Sequence, residues 1–159
     1  APQFSSGRAV QEYTQRYYLP AAQQWLRRSA GNGADQGEAG LQLLRWQERL
    51  DAAWDRLRFE HLAVTSTASG LQFDVQVSLA GLAPQDVAVQ LYADGIDGAG
   101  PQVYDMPLQD EPGAATAGRA RYRVAVPANR PVGDYTARVV PRMAGAAVPL
   151  EANHILWQR

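Results

Sequence analysis

Three arginines at alternate positions form the arrangement in this sequence that is best suited to binding chemistry. Arg119, Arg121 and Arg123 alternate with apolar residues, so a β-strand here would place all three guanidinium groups on its outward face. Such a row can bind a carboxylate, a phosphate or an acidic partner. Arg138, in a later strand-like run, is expected to lie beside the row and extend it as a docking surface. The simpler alternative is a solvated strand face whose charge protects it from pairing with other chains.

Aromatic side chains in the second half of the chain are the other candidates for ligand contact. A flat ring can stack against the apolar face of a sugar, provided that the ring is exposed. Tyr122 and Tyr135 fall at inward positions of predicted strands, where a core role or a tyrosine corner is expected. Tyr92 and Trp157 remain as the residues expected to contact a sugar.

The remaining polar residues do not have the spacing of a catalytic or metal site. Asp94 is followed by Ile96 and Gly98 at the positions where an EF-hand needs oxygen ligands, so the acids of this loop are expected to serve turns. The two histidines, His61 and His154, are far apart and are expected to pack beside strands. The chain has no cysteine and no Gly-x-Ser-x-Gly motif, so thiolate and serine-elbow nucleophiles are excluded. We expect no catalytic, cofactor-binding or metal-binding residue in the chain itself.

Charge and hydropathy exclude several classes of partner. The net charge is −1, with both signs interspersed, so there is no basic surface for nucleic acid or an anionic membrane. No apolar run approaches the roughly 20 residues needed to span a bilayer. The sequence also does not start with the charged and then apolar segment that is typical of a secretion signal. We therefore expect a soluble, cytoplasmic protein.

From Phe59 onwards the sequence changes from a helical period to alternation, which predicts a β domain. The clearest case is the run from Leu71 to Leu79, in which apolar and polar residues alternate. Strands are predicted at 62–65, 71–79, 87–91, 102–108, 120–126, 135–139 and 154–157, with turn-forming segments between them. About seven strands favour an immunoglobulin-like sandwich over residues 58–159. A small barrel is the alternative.

Residues 1–57 are predicted to be helical, which makes the chain α+β, with a helical hairpin before the sandwich. Pro20 ends or bends the first helix, and Asp35 is a candidate cap for a second helix that continues through Arg56. In the second helix, apolar residues at spacings of three and four form a narrow seam: Leu43, Trp46, Leu50, Ala53 and Leu57. We expect the two helices to pack against each other along this seam.

The first helix carries an aromatic stripe that needs a partner. Val10, Tyr13 and Tyr17 recur at spacings of three and four, so they fall on one face of a helix. With Tyr18 and Trp25 they form a predicted docking interface, because an uncovered aromatic patch is an aggregation liability. The chain also begins without a methionine. We therefore expect a segment of a longer protein, whose remaining part covers the stripe.

Residues 4–20, FSSGRAVQEYTQRYYLP, resemble the last helix of the glycogen and α-glucan phosphorylases, in which the sequence runs close to FSS-R-x-x-x-x-Y. In that family this helix packs back across the catalytic core. Residues 80–92 and 133–157 are similar to the longer bacterial and archaeal enzymes, which have an added C-terminal region. The resemblance implies that the stripe docks on the catalytic core of a parent phosphorylase.

The resemblance also implies a parent reaction, the phosphorolysis of α-1,4-glucan to glucose 1-phosphate, with pyridoxal phosphate as cofactor. All 15 basic residues of this chain are arginine, and a Schiff base to that cofactor needs a lysine amine. We therefore expect a non-catalytic accessory region that contacts the catalytic core, a second copy of itself or α-glucan. A free-standing immunoglobulin-like module for carbohydrate binding or adhesion is the alternative, and an independent hydrolase is the least supported.

Overall fold

The computed structural model describes residues 19, 22–23, 33–109, 118–148 and 151–159. The predicted docking stripe of Val10, Tyr13 and Tyr17, with Tyr18 and Trp25, lies outside the described residues. Within the described ranges, no helix has the length and apolar character needed to cross a membrane.

A helix followed by eight strands in two antiparallel sheets forms the described part of the chain, so the predicted α+β organisation is confirmed. The first sheet has the strand order β1-β2-β6-β5, and the second has the order β4-β3-β7-β8. The elements are α1 (Gly33–Ala53), β1 (Arg58–Thr67), β2 (Gly70–Ser78), β3 (Val87–Ala93), β4 (Gln102–Asp105), β5 (Leu108–Gln109), β6 (Arg119–Val126), β7 (Tyr135–Pro141) and β8 (Leu156–Trp157).

The core lies between the sheets because alternate side chains of the strands point inward. In β3, Val87, Val89 and Leu91 are almost fully buried, and the residues between them are half-buried. The inward residues of both sheets belong to one hydrophobic cluster. The intervening positions therefore form two separate outer faces, one on each sheet.

The predicted strand at 102–108 is divided between the two sheets. Residues Gln102–Asp105 pair with β3 in the second sheet, whereas Leu108 and Gln109 pair with β6 in the first. The break falls at Met106 and Pro107. Met106 is buried and donates its amide to the carbonyl of Val89 at 2.9 Å, and Pro107 has no amide to continue a ladder. The chain thus crosses between the sheets here, which makes eight strands from the seven predicted.

The turn between β1 and β2 depends on a glycine. Gly70 has a φ of +149°, and a Cβ atom at this position would overlap the carbonyl oxygen of Val126 on the neighbouring β6. Only glycine permits this close approach of two backbones.

Helix α1 packs on the sandwich through the seam predicted from its sequence. Trp46 and Leu50 are 1% and 0% exposed and share one cluster with the inward residues of the sheets. Among the described residues the seam is thus buried by the sandwich. The predicted packing of the first helix on this seam involves residues that lie largely outside the described ranges. The physical reason is that the seam aligns large apolar side chains on one face of α1, and packing them on the core between the sheets removes them from water.

Polar contacts fix the helix at this junction. The indole Nε1 of Trp46 donates to the carbonyl oxygen of Asp86 at 3.4 Å, and Gln47 Nε2 donates to the carbonyl of Glu151 at 2.6 Å. His154 stacks on Trp54 with ring centroids 5.0 Å apart, and its Nε2 lies 2.7 Å from Asp51 Oδ1. His154 therefore links the last turn of α1 to the segment before β8, and its role is in the packing of the helix.

Candidate binding surface

The predicted arginine row lies on the outer face of the first sheet, where two carboxylates form ion pairs with its three arginines. Arg121 binds Asp74 with two parallel contacts, Nε to Oδ1 at 2.6 Å and Nη2 to Oδ2 at 2.9 Å. Arg123 contacts Oδ2 of the same carboxylate through Nε at 2.9 Å and Nη2 at 2.7 Å. Arg119 Nε lies 2.9 Å from Glu60 Oε2. Each arginine of the row thus has a carboxylate partner within the sheet.

Asp74 is the centre of this cluster. Although it occupies an outward position of β2, it is only 7% exposed, because the stems of two arginines on the adjacent β6 cover it. Burial disfavours the charged carboxylate, but the hydrogen bonds and positive charges of Arg121 and Arg123 outweigh that effect and lower the pKa of Asp74. The carboxylate is therefore ionised, and the cluster ties β2 to β6.

Arg138 does not extend this row. It lies on β7 in the second sheet, opposite Trp157 of β8 and Gln90 of β3, so the sandwich core separates it from the other three arginines. The predicted grouping of four arginines is therefore wrong. Two strands that follow each other along the chain can belong to different sheets, and the sequence does not show which sheet each one joins.

The second sheet brings Arg138 together with both predicted sugar-contact residues. The guanidinium carbon of Arg138 lies 4.9 Å from the ring centroid of Tyr92 and 5.4 Å from that of Trp157, within the range of cation–π attraction. The two rings are 5.3 Å apart and stand at 80° to each other. Trp157 is 37% exposed. We call Tyr92, Arg138 and Trp157 the aromatic cluster.

Hydrogen bonds hold the aromatic cluster in place across the sheet. Arg138 Nε donates to Gln90 Oε1 at 3.0 Å, and Gln90 Nε2 donates to Asp105 Oδ1 at 2.9 Å. The hydroxyl of Tyr92 donates to Asp94 Oδ1 at 3.0 Å, a bond that raises the pKa of Tyr92. A chain of polar side chains therefore crosses β7, β3 and β4 beside the rings.

A groove of about 620 Å³ adjoins the aromatic cluster on the same outer face. Its floor is formed by the second sheet, including Gln90 and Arg138, and its wall by the segment after β7, including Met143 and Asn153. This volume lies within the range of small-molecule sites, and the lining combines apolar surface with a few hydrogen-bonding groups.

The polar partners of these surfaces were not predicted from the sequence. Asp74 and Gln90 are outward residues of clear strands, and their positions in the alternation were visible in the sequence. Which arginine each one meets depends on the register between strands, and β2 and β6 lie nearly 50 residues apart. Within the described ranges, no three His, Cys, Asp or Glu side chains come close enough to hold a metal ion.

Comparison with known proteins assigns the chain to a family. The model of the glycogen phosphorylase C-terminal domain matches residues 54–159, which include every strand of the sandwich. The chain belongs to the glycogen phosphorylase C-terminal domain family. The predicted resemblance to the C-terminal region of a glycogen phosphorylase is thereby confirmed.

Relatives of this family carry the domain within much longer chains. Over 152 aligned residues the chain is 34% identical to a glycogen phosphorylase of Mycobacterium tuberculosis, covering 89% of this chain and 17% of the relative. It is 33% identical over 92 residues to a maltodextrin phosphorylase of Thermococcus litoralis, covering 58% of this chain and 10% of the relative. No solved structure gives a significant match. The chain thus spans less than a fifth of the length of these relatives.

Proposed function

We propose that this glycogen phosphorylase C-terminal domain is a non-catalytic accessory region of an α-glucan phosphorylase and that its second sheet contacts glucan. The observation that carries the proposal is the aromatic cluster, in which the rings of Tyr92 and Trp157 stand nearly perpendicular beside a groove. The parent phosphorylase would convert α-1,4-glucan to glucose 1-phosphate in the cytoplasm. The accessory region would increase the affinity of the parent phosphorylase for a long glucan.

The chemistry of the second sheet suits an uncharged polyhydroxyl chain. The exposed part of the Trp157 ring offers a flat apolar surface for the C–H face of a pyranose, and Tyr92 stands beside it as a wall. Gln90, Asp105 and Asn153 supply amide and carboxylate groups for sugar hydroxyls along the adjacent surface. The site therefore combines the stacking and hydrogen bonding that orient a ligand in a mostly apolar pocket.

Catalysis in this proposal belongs to the rest of the parent chain. Pyridoxal phosphate is attached through a lysine amine, and every basic residue of this chain is arginine. The residues present therefore do not fit covalent attachment of the cofactor. The stripe of Val10, Tyr13 and Tyr17 is proposed to dock on the catalytic core, and a contact between copies of the chain is a further proposed role.

Glycogen affinity of the full-length protein tests the glucan contact. We expect the double variant Tyr92→Leu/Trp157→Leu to lose about tenfold in affinity during electrophoresis through glycogen-containing gels, because two stacking surfaces are removed. Activity on a short maltooligosaccharide should stay at the wild-type level. Leu108→Ala, which truncates an exposed leucine of the first sheet, is the matched control.

Unchanged glycogen affinity in the double variant would falsify the glucan contact. Deleting residues 58–159 from the full-length protein tests the wider accessory role. If the deletion leaves activity, assembly and glucan affinity unchanged, the region has no such role.

A further inference from the structure

A second pocket, distinct from the glucan-facing sheet, lies between α1 and the turn that follows β7. Its volume is about 510 Å³, and three arginines line it, Arg45 and Arg49 from the helix and Arg142 from the turn. Gln42 and Gln85 add two amide groups. With the indole of Trp46, six side chains that carry N–H groups therefore surround one concave space.

Helix α1 and the turn after β7 position these arginines. Arg45 and Arg49 are four residues apart on α1, so their side chains leave the same face of the helix, and Gln42 precedes them by one turn. The backbone amide of Arg142 donates to the carbonyl of Asp86 at 2.8 Å. The same carbonyl accepts from the buried indole of Trp46. The helix and the turn thus both donate hydrogen bonds to the carbonyl oxygen of Asp86 at the base of the pocket.

The positive charge of the pocket exceeds what its one carboxylate can balance. Asp86 is 8% exposed; its Oδ1 accepts from Arg49 Nη2 at 3.0 Å and its Oδ2 from the amide of Ala83 at 3.1 Å. Both oxygens are therefore engaged. The guanidinium groups of Arg45 and Arg142 have no hydrogen-bond or ion-pair partner among the residues that the structure describes. Three positive charges and one negative charge leave an excess of two.

A small apolar slot of about 150 Å³ adjoins the charged pocket and shares Gln42, Met143 and Ala144 with it. Ala39 and Leu43 of α1 form its other side. A ligand that fills both spaces needs a charged end and a small body of low polarity. An inorganic ion would fill only the charged part.

We propose that this pocket binds a phosphate monoester of a small organic molecule. A phosphate monoester carries nearly two negative charges at neutral pH and three acceptor oxygens, which match the excess charge and the guanidinium donors of Arg45, Arg49 and Arg142. The organic group occupies the slot beside Met143. This site does not depend on the glucan contact of the second sheet, because Arg45 and Arg49 do not line the groove there, although Arg142 and Met143 line both spaces.

Titration of the 159-residue chain with phenyl phosphate, followed by the NMR signals of arginine Nε–Hε groups and of the Trp46 indole, tests the proposal. We expect saturable shifts at Arg45, Arg142 and Trp46, and weaker binding of inorganic phosphate, which lacks the organic group. Arg45→Gln and Arg142→Gln should each lower the affinity for phenyl phosphate about tenfold, because each removes a charge-assisted contact. Arg58→Gln, on the first sheet and outside the pocket, makes the same charge change and should have no effect.

Hydrogen exchange in the full-length protein provides the second measurement. Phenyl phosphate should slow amide exchange in residues 42–49 and 142–146. The proposal is wrong if no shifts occur, or if Arg58→Gln weakens binding as much as the pocket variants do. It is also wrong if exchange in these segments does not respond to phenyl phosphate in the full-length protein, because another part of the protein then covers the pocket.

Discussion

The two outer faces of the sandwich use arginine in different ways. On the first sheet, Arg121 and Arg123 converge on the carboxylate of Asp74, so both arginines are engaged by an ion pair within the sheet. On the second sheet, Arg138 lies against the rings of Tyr92 and Trp157 and bonds to the neutral amide of Gln90. The same residue type therefore stabilises strand pairing on one face and supports an exposed aromatic surface on the other.

The difference shows that neighbours across the sheet decide what an outward arginine does. The row Arg119, Arg121 and Arg123 is conspicuous in the sequence, yet its carboxylate partners make it the weaker candidate for binding an external anion. Arg138 is isolated in the sequence, but the register places it between two aromatic residues. The face with fewer charges is thus the better candidate for recognition of a neutral ligand.

The largest effect expected on stability comes from the first sheet. Asp74→Ala should lower the free energy of unfolding by about 2 kcal/mol, because it leaves two arginines without their shared carboxylate. Urea denaturation measures the change. Arg138→Ala on the second sheet should cost less, since the arginine there is partly solvated. Equal losses would remove the distinction between the two faces.

The pH dependence of stability gives a second measure of the first sheet. The pKa of Asp74 is lowered in the folded protein, so its contribution is present above the unfolded-state pKa of about 3.9. As the pH falls from there through the lowered folded-state pKa, the contribution is lost. The difference in unfolding free energy between wild type and Asp74→Asn should therefore shrink towards zero at low pH. A difference that stays constant with pH would show that the carboxylate charge is not its source.

A smaller effect is expected from conservative change of the aromatic cluster. Arg138→Lys keeps the charge but loses the planar group that lies over the rings. We expect a decrease of about 0.5 kcal/mol in the free energy of unfolding, measured by urea denaturation. Arg130→Lys is the control, because Arg130 makes a similar contact with the ring of Tyr135 at the end of the sandwich, away from the groove. A larger loss at Arg130 than at Arg138 would contradict a structured cluster on the second sheet.

The smallest effect concerns the inner side of the strand that carries the arginine row. The hydroxyl of Tyr122 is buried and has no hydrogen-bond partner among the residues described by the structure, and burial raises its pKa to about 12. Tyr122→Phe should therefore leave the free energy of unfolding, measured by urea denaturation, unchanged or raise it by less than about 0.5 kcal/mol. A clear loss of stability would show that the hydroxyl makes a favourable contact.

Alternation in the sequence was sufficient to predict the strands and which residues point inward. It did not predict that Met106 and Pro107 carry the chain from one sheet to the other, because both belong to an otherwise continuous strand-like run. It also identified the helical seam of Trp46 and Leu50, but it did not predict that the sandwich core buries this seam, since an apolar stripe does not indicate what will cover it.

The candidate sites were predictable only in part, for the same reason. Tyr92 and Trp157 were singled out by ring chemistry and expected exposure. Their contact with each other and with Arg138 depends on pairing of β3, β7 and β8, which are distant in sequence. The pocket of Arg45, Arg49 and Arg142 required the packing of α1 on the sandwich. Local patterns therefore indicated the candidate groups, whereas long-range register determined which groups meet.

Chemical-shift mapping of the 159-residue chain with a long maltooligosaccharide tests the contrast between the two faces most directly. We expect progressive shifts of the Trp157 indole and of the amides of Gln90 and Tyr92, with the signals of Asp74 and Arg121 unchanged. Shifts confined to the first sheet, or no shifts at saturating sugar, would contradict a glucan contact on the second sheet.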